Sequence, residues 1–128
     1  VKLLLDTHAF LWWICDDVRL SGRARSLLAD GQNEVYFSAA SAWELAIKAG
    51  AGRIMLPGDP ERFVAEQVAA NAFQVLPVHI RHALKVFGLP PLHRDPFDRM
   101  LIAQAVVEEM PILSADPQLA RYPVEIIW

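Results

Sequence analysis

The chain has 128 residues, 54% of them hydrophobic, with one cysteine and a formal net charge of −3. That length can bury one core without cross-links, so a single domain over residues 1–128 is expected, and the lone Cys15 excludes a disulfide framework or a multi-cysteine zinc site. The negative balance excludes broad phosphate binding through a basic stripe, since Arg23/Arg25, Lys48/Arg53, Arg81/Lys85 and Arg94/Arg99 are loose pairs on a mixed-charge surface.

Val1 to Leu5 is almost wholly apolar and ends at an Asp, the form of a strand buried on both faces of a parallel sheet. Residues 8 to 15 are apolar nearly all round, and residues 21 to 29 set Arg23 and Arg25 against Leu27 and Leu28, so two helices are expected to follow the first strand. Val35 to Ser38 reads as a second strand, and Ser41 to Ala49 as a helix ended by Gly50 and Gly52. Beyond Pro60, residues 60 to 72 carry Phe63, Val64 and Val68 at helical spacing, and Val75-Leu76 makes a brief third strand before Pro77. A helix over 79 to 87 is broken by Gly88-Leu89-Pro90-Pro91. Asp95-Pro96 opens the best-marked helix, running to about Glu109, and Ile112-Leu113 and Val124 to Ile127 are two last strands. This alternation predicts an α/β fold with a central, mainly parallel sheet between helices. No apolar run approaches the roughly 20 residues of a membrane helix, and Val1-Lys2 leads into the first strand without a cleavage-site pattern. A cytoplasmic location is therefore expected.

Asp6 and Asp116 each follow an apolar strand, and Asp95 and Asp98 stand at the opening of the long helix. The carboxyl ends of parallel strands share one edge, where ligand sites form, so these acids can meet. Glu44 joins them if the polar stripe of Ser41, Glu44 and Lys48 turns toward that edge. Crowded carboxylates resist ionisation unless a hard divalent cation compensates them, and an oxygen-only donor set favours Mg²⁺ or Mn²⁺ over zinc. Such an ion activates water for phosphodiester hydrolysis.

Each acid also has a structural reading. Asp6 and Asp116-Pro117 can cap the segments that follow them, and Asp95 is an N-cap with Pro96 first in the helix and Asp98 in its first turn. Glu44 stands four residues before Lys48, at the spacing of a surface ion pair. What favours a joint role is that four unrelated caps and pairs need not fall at one sheet edge.

Leu4-Leu5-Asp6-Thr7-His8, Ser41-Ala42-Trp43-Glu44-Leu45, His93 to Ala105 and Leu113-Ser114-Ala115-Asp116, in this order and spacing, resemble the acidic motifs of the PIN-domain family. The resemblance is to its VapC-like toxin ribonucleases and runs end to end. It implies a three-layer α/β/α PIN-like fold and Mg²⁺- or Mn²⁺-dependent cleavage of RNA, together with homodimerisation and a small antitoxin partner. Position by position, Asp6, Glu44, Asp98 and Asp116 match the metal-holding acids, and Thr7 and Ser114 match supporting hydroxyls. Asp98 is preferred over Asp95 because the alanines expected five and seven positions later fall at Ala103 and Ala105. Asp95 remains an outer ligand at most.

His93, Arg94 and Arg99 flank the third acid and are candidate phosphate contacts. His8 lies beside Asp6, and Trp12 and Trp13 suit a core more than an interface. The alternative to a nuclease is a PIN-like domain that binds RNA or a partner without cutting. A receiver or phosphatase would want a second aspartate two residues after the first, where this chain has His8. A domain whose acids are merely caps predicts no response to divalent cations.

Overall fold

The structure, a computed structural model, describes all of residues 1–128. Five strands, β1 (Lys2–Leu5), β2 (Glu34–Ser38), β3 (Gln74–Leu76), β4 (Ile112–Leu113) and β5 (Ile126–Ile127), form one sheet in the order β3-β2-β1-β4-β5. Every pairing is parallel, so the mainly parallel sheet expected is wholly so. The helices are α1 (Thr7–Ile14), α2 (Gly22–Ala29), α3 (Ala39–Gly50), α4 (Pro60–Ala70), α5 (Ile80–Lys85) and α6 (Pro96–Glu108).

Side chains alternate across a strand, and β1 shows what that does to an apolar run. Leu3 and Leu5 join a core with Phe10, Phe37, Leu45 and Leu113, supplied from α1 to α4. Leu4 points the other way, into a second core with Leu101, Ile102, Ile112, Leu119 and Tyr122, supplied largely by α6. Leu3, Leu4 and Leu5 are all fully buried, as a central strand between two helical layers must be. The fold is thus the three-layer α/β/α arrangement anticipated.

Connectivity places the site. From β1 the chain steps outward to β2 and β3, then returns across the sheet to lay β4 on the other side of β1. That reversal makes the β1/β4 seam the topological switch point, where open parallel sheets leave a crevice at the carboxyl ends of their strands. Leu5 pairs in register with Leu113, so Asp6 and Ser114 emerge there side by side.

Several boundaries differ from the sequence expectation. Helix α3 starts at Ala39, capped by Ser38 Oγ accepting from Ala40 N at 3.0 Å, and runs through Gly50 instead of stopping before it. Helix α5 ends at Lys85 and tightens into a 3-10 turn over Val86–Gly88. Strand β5 is only Ile126–Ile127, because Pro123 and the Val124 turn onto the Tyr122 carbonyl precede it.

Candidate active site

Asp6 occupies the N-cap position of α1, yet its carboxylate makes no capping bond. Instead Oδ2 accepts a 2.7 Å hydrogen bond from Ser114 Oγ, which in turn accepts from Asp116 N at 3.0 Å. Ser114 therefore ties the ends of β1 and β4 together around a buried carboxylate. Burial raises the Asp6 pKa; the Ser114 bond and the nearby His8 oppose that rise, while the Glu44 charge adds to it.

Asp116 closes a short turn, its Oδ1 accepting from Gln118 N at 2.9 Å. No α-helix follows Pro117, only a 3-10 turn over Leu119–Arg121, so the helix-cap reading becomes a local turn that leaves the second carboxylate oxygen without a protein partner.

Glu44 lies inward on α3. Ser41 and Glu44 are only 1% and 4% exposed, while Trp43 on the same helix is 62% exposed. The polar stripe is thus the inner face, and the Lys48 pair is no surface bridge. Lys48 Nζ donates to Oε2 at 2.6 Å, and Thr7 Oγ1 donates to Oε1 at 2.7 Å. Ser41 Oγ lies 2.9 Å from Thr7 Oγ1. Thr7 has one proton and gives it to the carboxylate, so Ser41 donates to Thr7.

Asp95 caps α6 by accepting from Phe97 N and Asp98 N at 2.9 and 3.1 Å. Asp98, one turn inside, takes His93 Nε2 at 3.1 Å, and His93 Nδ1 lies 2.7 Å from the Tyr122 hydroxyl. That hydroxyl accepts from Arg99 at 2.9 Å, so its proton goes to His93 Nδ1 and the imidazole proton sits on Nε2, facing Asp98. Burial first, then the charges of Asp95, Asp6 and Asp116, push the Asp98 pKa up to about 6 against the His93 bond. Asp98 thus feels both strand-end aspartates, and Asp6 feels Glu44. The four acids form one electrostatic neighbourhood at the switch point.

The Arg99 guanidinium donates to the Pro90 and Val86 carbonyls as well as to Tyr122, which makes it a brace for the loop before α6. Arg94 is exposed, and its side chain makes no hydrogen bond or ion pair.

Beside Asp6 and Asp116 opens a cleft of about 350 Å³, lined also by His8, Trp12 and Arg19. Glu44 and Asp98 are not part of its lining. A larger apolar cavity of about 430 Å³ sits among Trp43, Val86 and Phe97 and contains none of the four acids, whereas the smaller cleft is lined by two of them. Sequence reading missed Arg19, which no local pattern marks, and Tyr122, whose link to His93 spans 29 residues.

The donor set suits a hard divalent cation in kind, being all carboxylate, and in Asp6 and Asp98 burial and neighbouring acids oppose ionisation. As the side chains stand, no three Asp, Glu, His or Cys groups converge on one point. Asp6, Glu44 and Asp98 each hold a partner within the protein, Asp116 keeps one carboxylate oxygen free, and no buried side-chain nitrogen or oxygen lacks a partner. Ligation therefore requires side-chain rotation, with Glu44 turning from Lys48 and Asp98 from His93.

Solved structures resemble this chain along its whole length. VapBC2 from Rickettsia felis, bound to a promoter DNA fragment, matches at 13% identity with a TM-score of 0.74, covering 99% of this chain and 98% of that one. DNA-bound VapBC from Salmonella typhimurium matches at 17% identity and 0.70, covering 99% and 97%. FitAcB from Neisseria gonorrhoeae matches at 17% and 0.66, covering 98% and 96%. Identities this low speak for the fold alone, and no curated protein sequence matches the chain significantly. The family model for the PIN domain matches residues 3–125, the span that contains all four acids and the whole seam between β1 and β4, and the chain belongs to the PIN domain family.

Proposed function

We propose that this chain is a Mg²⁺- or Mn²⁺-dependent endoribonuclease, the toxin of a toxin–antitoxin pair, acting at Asp6, Glu44, Asp98 and Asp116. PIN domains are generally nucleases that use divalent metal ions. The observation that carries the reading is the pair of pKa-raised aspartates, the buried Asp6 and the half-buried Asp98, each sensing other acids at the switch point. A fold that needed only caps would have no reason to crowd those carboxylates together.

In this reading the four carboxylates hold the ion. The bound cation supplies the positive charge that lets them ionise together, lowers the pKa of water and stabilises the oxygens of the phosphodiester being hydrolysed. Ser114 orients Asp6, Thr7 orients Glu44, and His93, fixed by Tyr122, orients Asp98. Lys48 holds the Glu44 charge in the interior until a cation replaces it. Arg94, exposed near the opening of α6, suits a phosphate of the substrate. The likeness to VapBC and FitAB assemblies supports an antitoxin partner, and a homodimer is a further part of the proposal.

Two observations favour the binding-only alternative: Lys48 already neutralises Glu44, and no three ligating side chains converge. Incubating the purified chain with structured RNA in Mg²⁺ or Mn²⁺ separates the two. Cleavage lost with EDTA and in Asp6→Asn supports the nuclease; cleavage indifferent to both, or none with any metal, overturns it.

A further inference from the structure

We propose that the cleft beside Asp6 and Asp116 contains a base-stacking subsite, in which the Trp12 indole takes a nucleobase of single-stranded RNA and Arg19 takes the adjoining phosphate. It rests on the nuclease reading for its purpose and on its own geometry for its existence. The cleft lining combines the two acids with one imidazole, one indole and one guanidinium. The Arg19 guanidinium carbon lies 4.9 Å from the Trp12 ring centroid, over its face. The guanidinium shows that this face accepts a planar group; as Arg19 turns to a phosphate it vacates the face to a base, and bases stack on such faces with little regard to sequence.

Trp12 is built as a platform. It packs against the core, meets Trp128 edge-on at 5.7 Å and 63°, and has His8 6.0 Å away. Its neighbour Trp13 serves the fold, with Nε1 donating to Asn71 Oδ1 at 2.9 Å. The Trp12 Nε1 has no partner in the protein and is not sealed from solvent. Arg19 is 65% exposed and grips Asp17 through a two-bond fork, Nε to Oδ1 at 3.0 Å and Nη2 to Oδ2 at 2.8 Å, the same fork that a phosphate accepts in exchange. Stacking also answers a problem of charge. A chain of net charge −3 with a carboxylate-lined cleft repels a polyanion, and a salt-independent stacking contact holds the strand where phosphate neutralisation cannot.

The test is anisotropy of a labelled single-stranded RNA hexamer with the full chain in Ca²⁺ buffer across a salt series, beside a cleavage assay in Mn²⁺. Trp12→Leu keeps the apolar contact and loses the ring; it is expected to weaken binding roughly tenfold with the salt slope unchanged. Trp12→Phe should stay within about threefold of the parent, because a ring face remains. Arg19→Gln should weaken binding and flatten the salt slope by about 0.7, the value for one phosphate on a single strand. Phe87→Ala, which removes a 98% exposed ring outside the cleft, should change nothing. Unchanged affinity in folded Trp12→Leu, an equal loss in Phe87→Ala, or no binding by the parent overturns the proposal. Should Trp12→Leu not fold, Arg19→Gln decides, and an unaltered slope there overturns it. Trp12-dependent binding without cleavage in Mn²⁺ overturns the nuclease reading and supports the subsite.

Discussion

Ser114 is the residue on which the site's interior turns, since its hydroxyl donates to the buried Asp6 carboxylate and accepts from Asp116 N. Ser114→Ala leaves that carboxylate without its donor, and a buried acceptor left unpaired costs about 1–3 kcal/mol. A lower denaturation midpoint in metal-free buffer is expected; an unchanged midpoint would mean that water replaces the hydroxyl without loss. Asp98 makes a prediction of opposite sign. Its folded pKa of about 6 lies above the ordinary 3.8, so the folded state binds its proton more tightly than the unfolded chain does. The resulting stability is fully present below pH 3.8 and is lost as pH rises through about 6. Asp98→Asn stays neutral and keeps its contact with His93. In metal-free buffer at pH 8 it should therefore melt roughly 3 °C above the parent, a shift of about 1 kcal/mol or less after allowing for the solvent that still reaches the site. At pH 3.5 the two should coincide. A variant that melts below the parent at pH 8 contradicts the buried-charge account.

At the scale of elements, the opening of α6 shows what a sequence tells. Asp95-Pro96 announces a cap, and the structure has it, because capping is written within four residues and needs no tertiary partner. Asp95→Ala should cost about 1 kcal/mol, whereas Asp95→Asn, an equally good cap, should leave both the melting temperature and metal-dependent cleavage unchanged. Loss of cleavage in Asp95→Asn would make Asp95 a ligand and reverse the choice of Asp98. The ends of α3 and α5 were less legible, since they are set by partners far away in sequence. Ser38 caps α3 and also donates to Gln104 on α6 at 2.6 Å. Helix α5 has six residues, too few to persist alone, and is anchored by the fully buried His82, whose Nε2 meets Glu108 of α6 at 2.7 Å. Strand type was plain at β1 because three consecutive leucines fill both cores. Strand length was not plain at β5, where proline and a turn compete with the apolar pattern.

At the scale of the whole molecule, the order β3-β2-β1-β4-β5 turns scattered acids into a site, for it makes β1 and β4 neighbours although more than a hundred residues part Asp6 from Ser114. The sequence contained the acids and the alternation from which a shared edge follows. It did not contain the rotamers: that Glu44 meets Lys48, that Asp98 meets His93, or that Arg99 braces a loop, because each depends on which loop packs where. These partnered side chains predict how the molecule responds to metal. A divalent cation binding the folded chain alone stabilises it by about 2.7 kcal/mol at a concentration 100 times its dissociation constant, a rise of several degrees at this size. Calorimetry with and without Mn²⁺ should show that rise in the parent and in Asp95→Asn, and lose it in Asp6→Asn and Asp116→Asn. Lys48 adds a sharper comparison, since an ammonium and a cation compete for the Glu44 carboxylate. Lys48→Met leaves that carboxylate buried and unpaired, so the metal-free midpoint should fall while the Mn²⁺-induced rise grows beyond the parent's. If Mn²⁺ moves none of these midpoints, the acids serve the fold alone, and the carboxylates at the β1/β4 seam are held by Ser114, Thr7, Lys48 and His93 with no ion to serve.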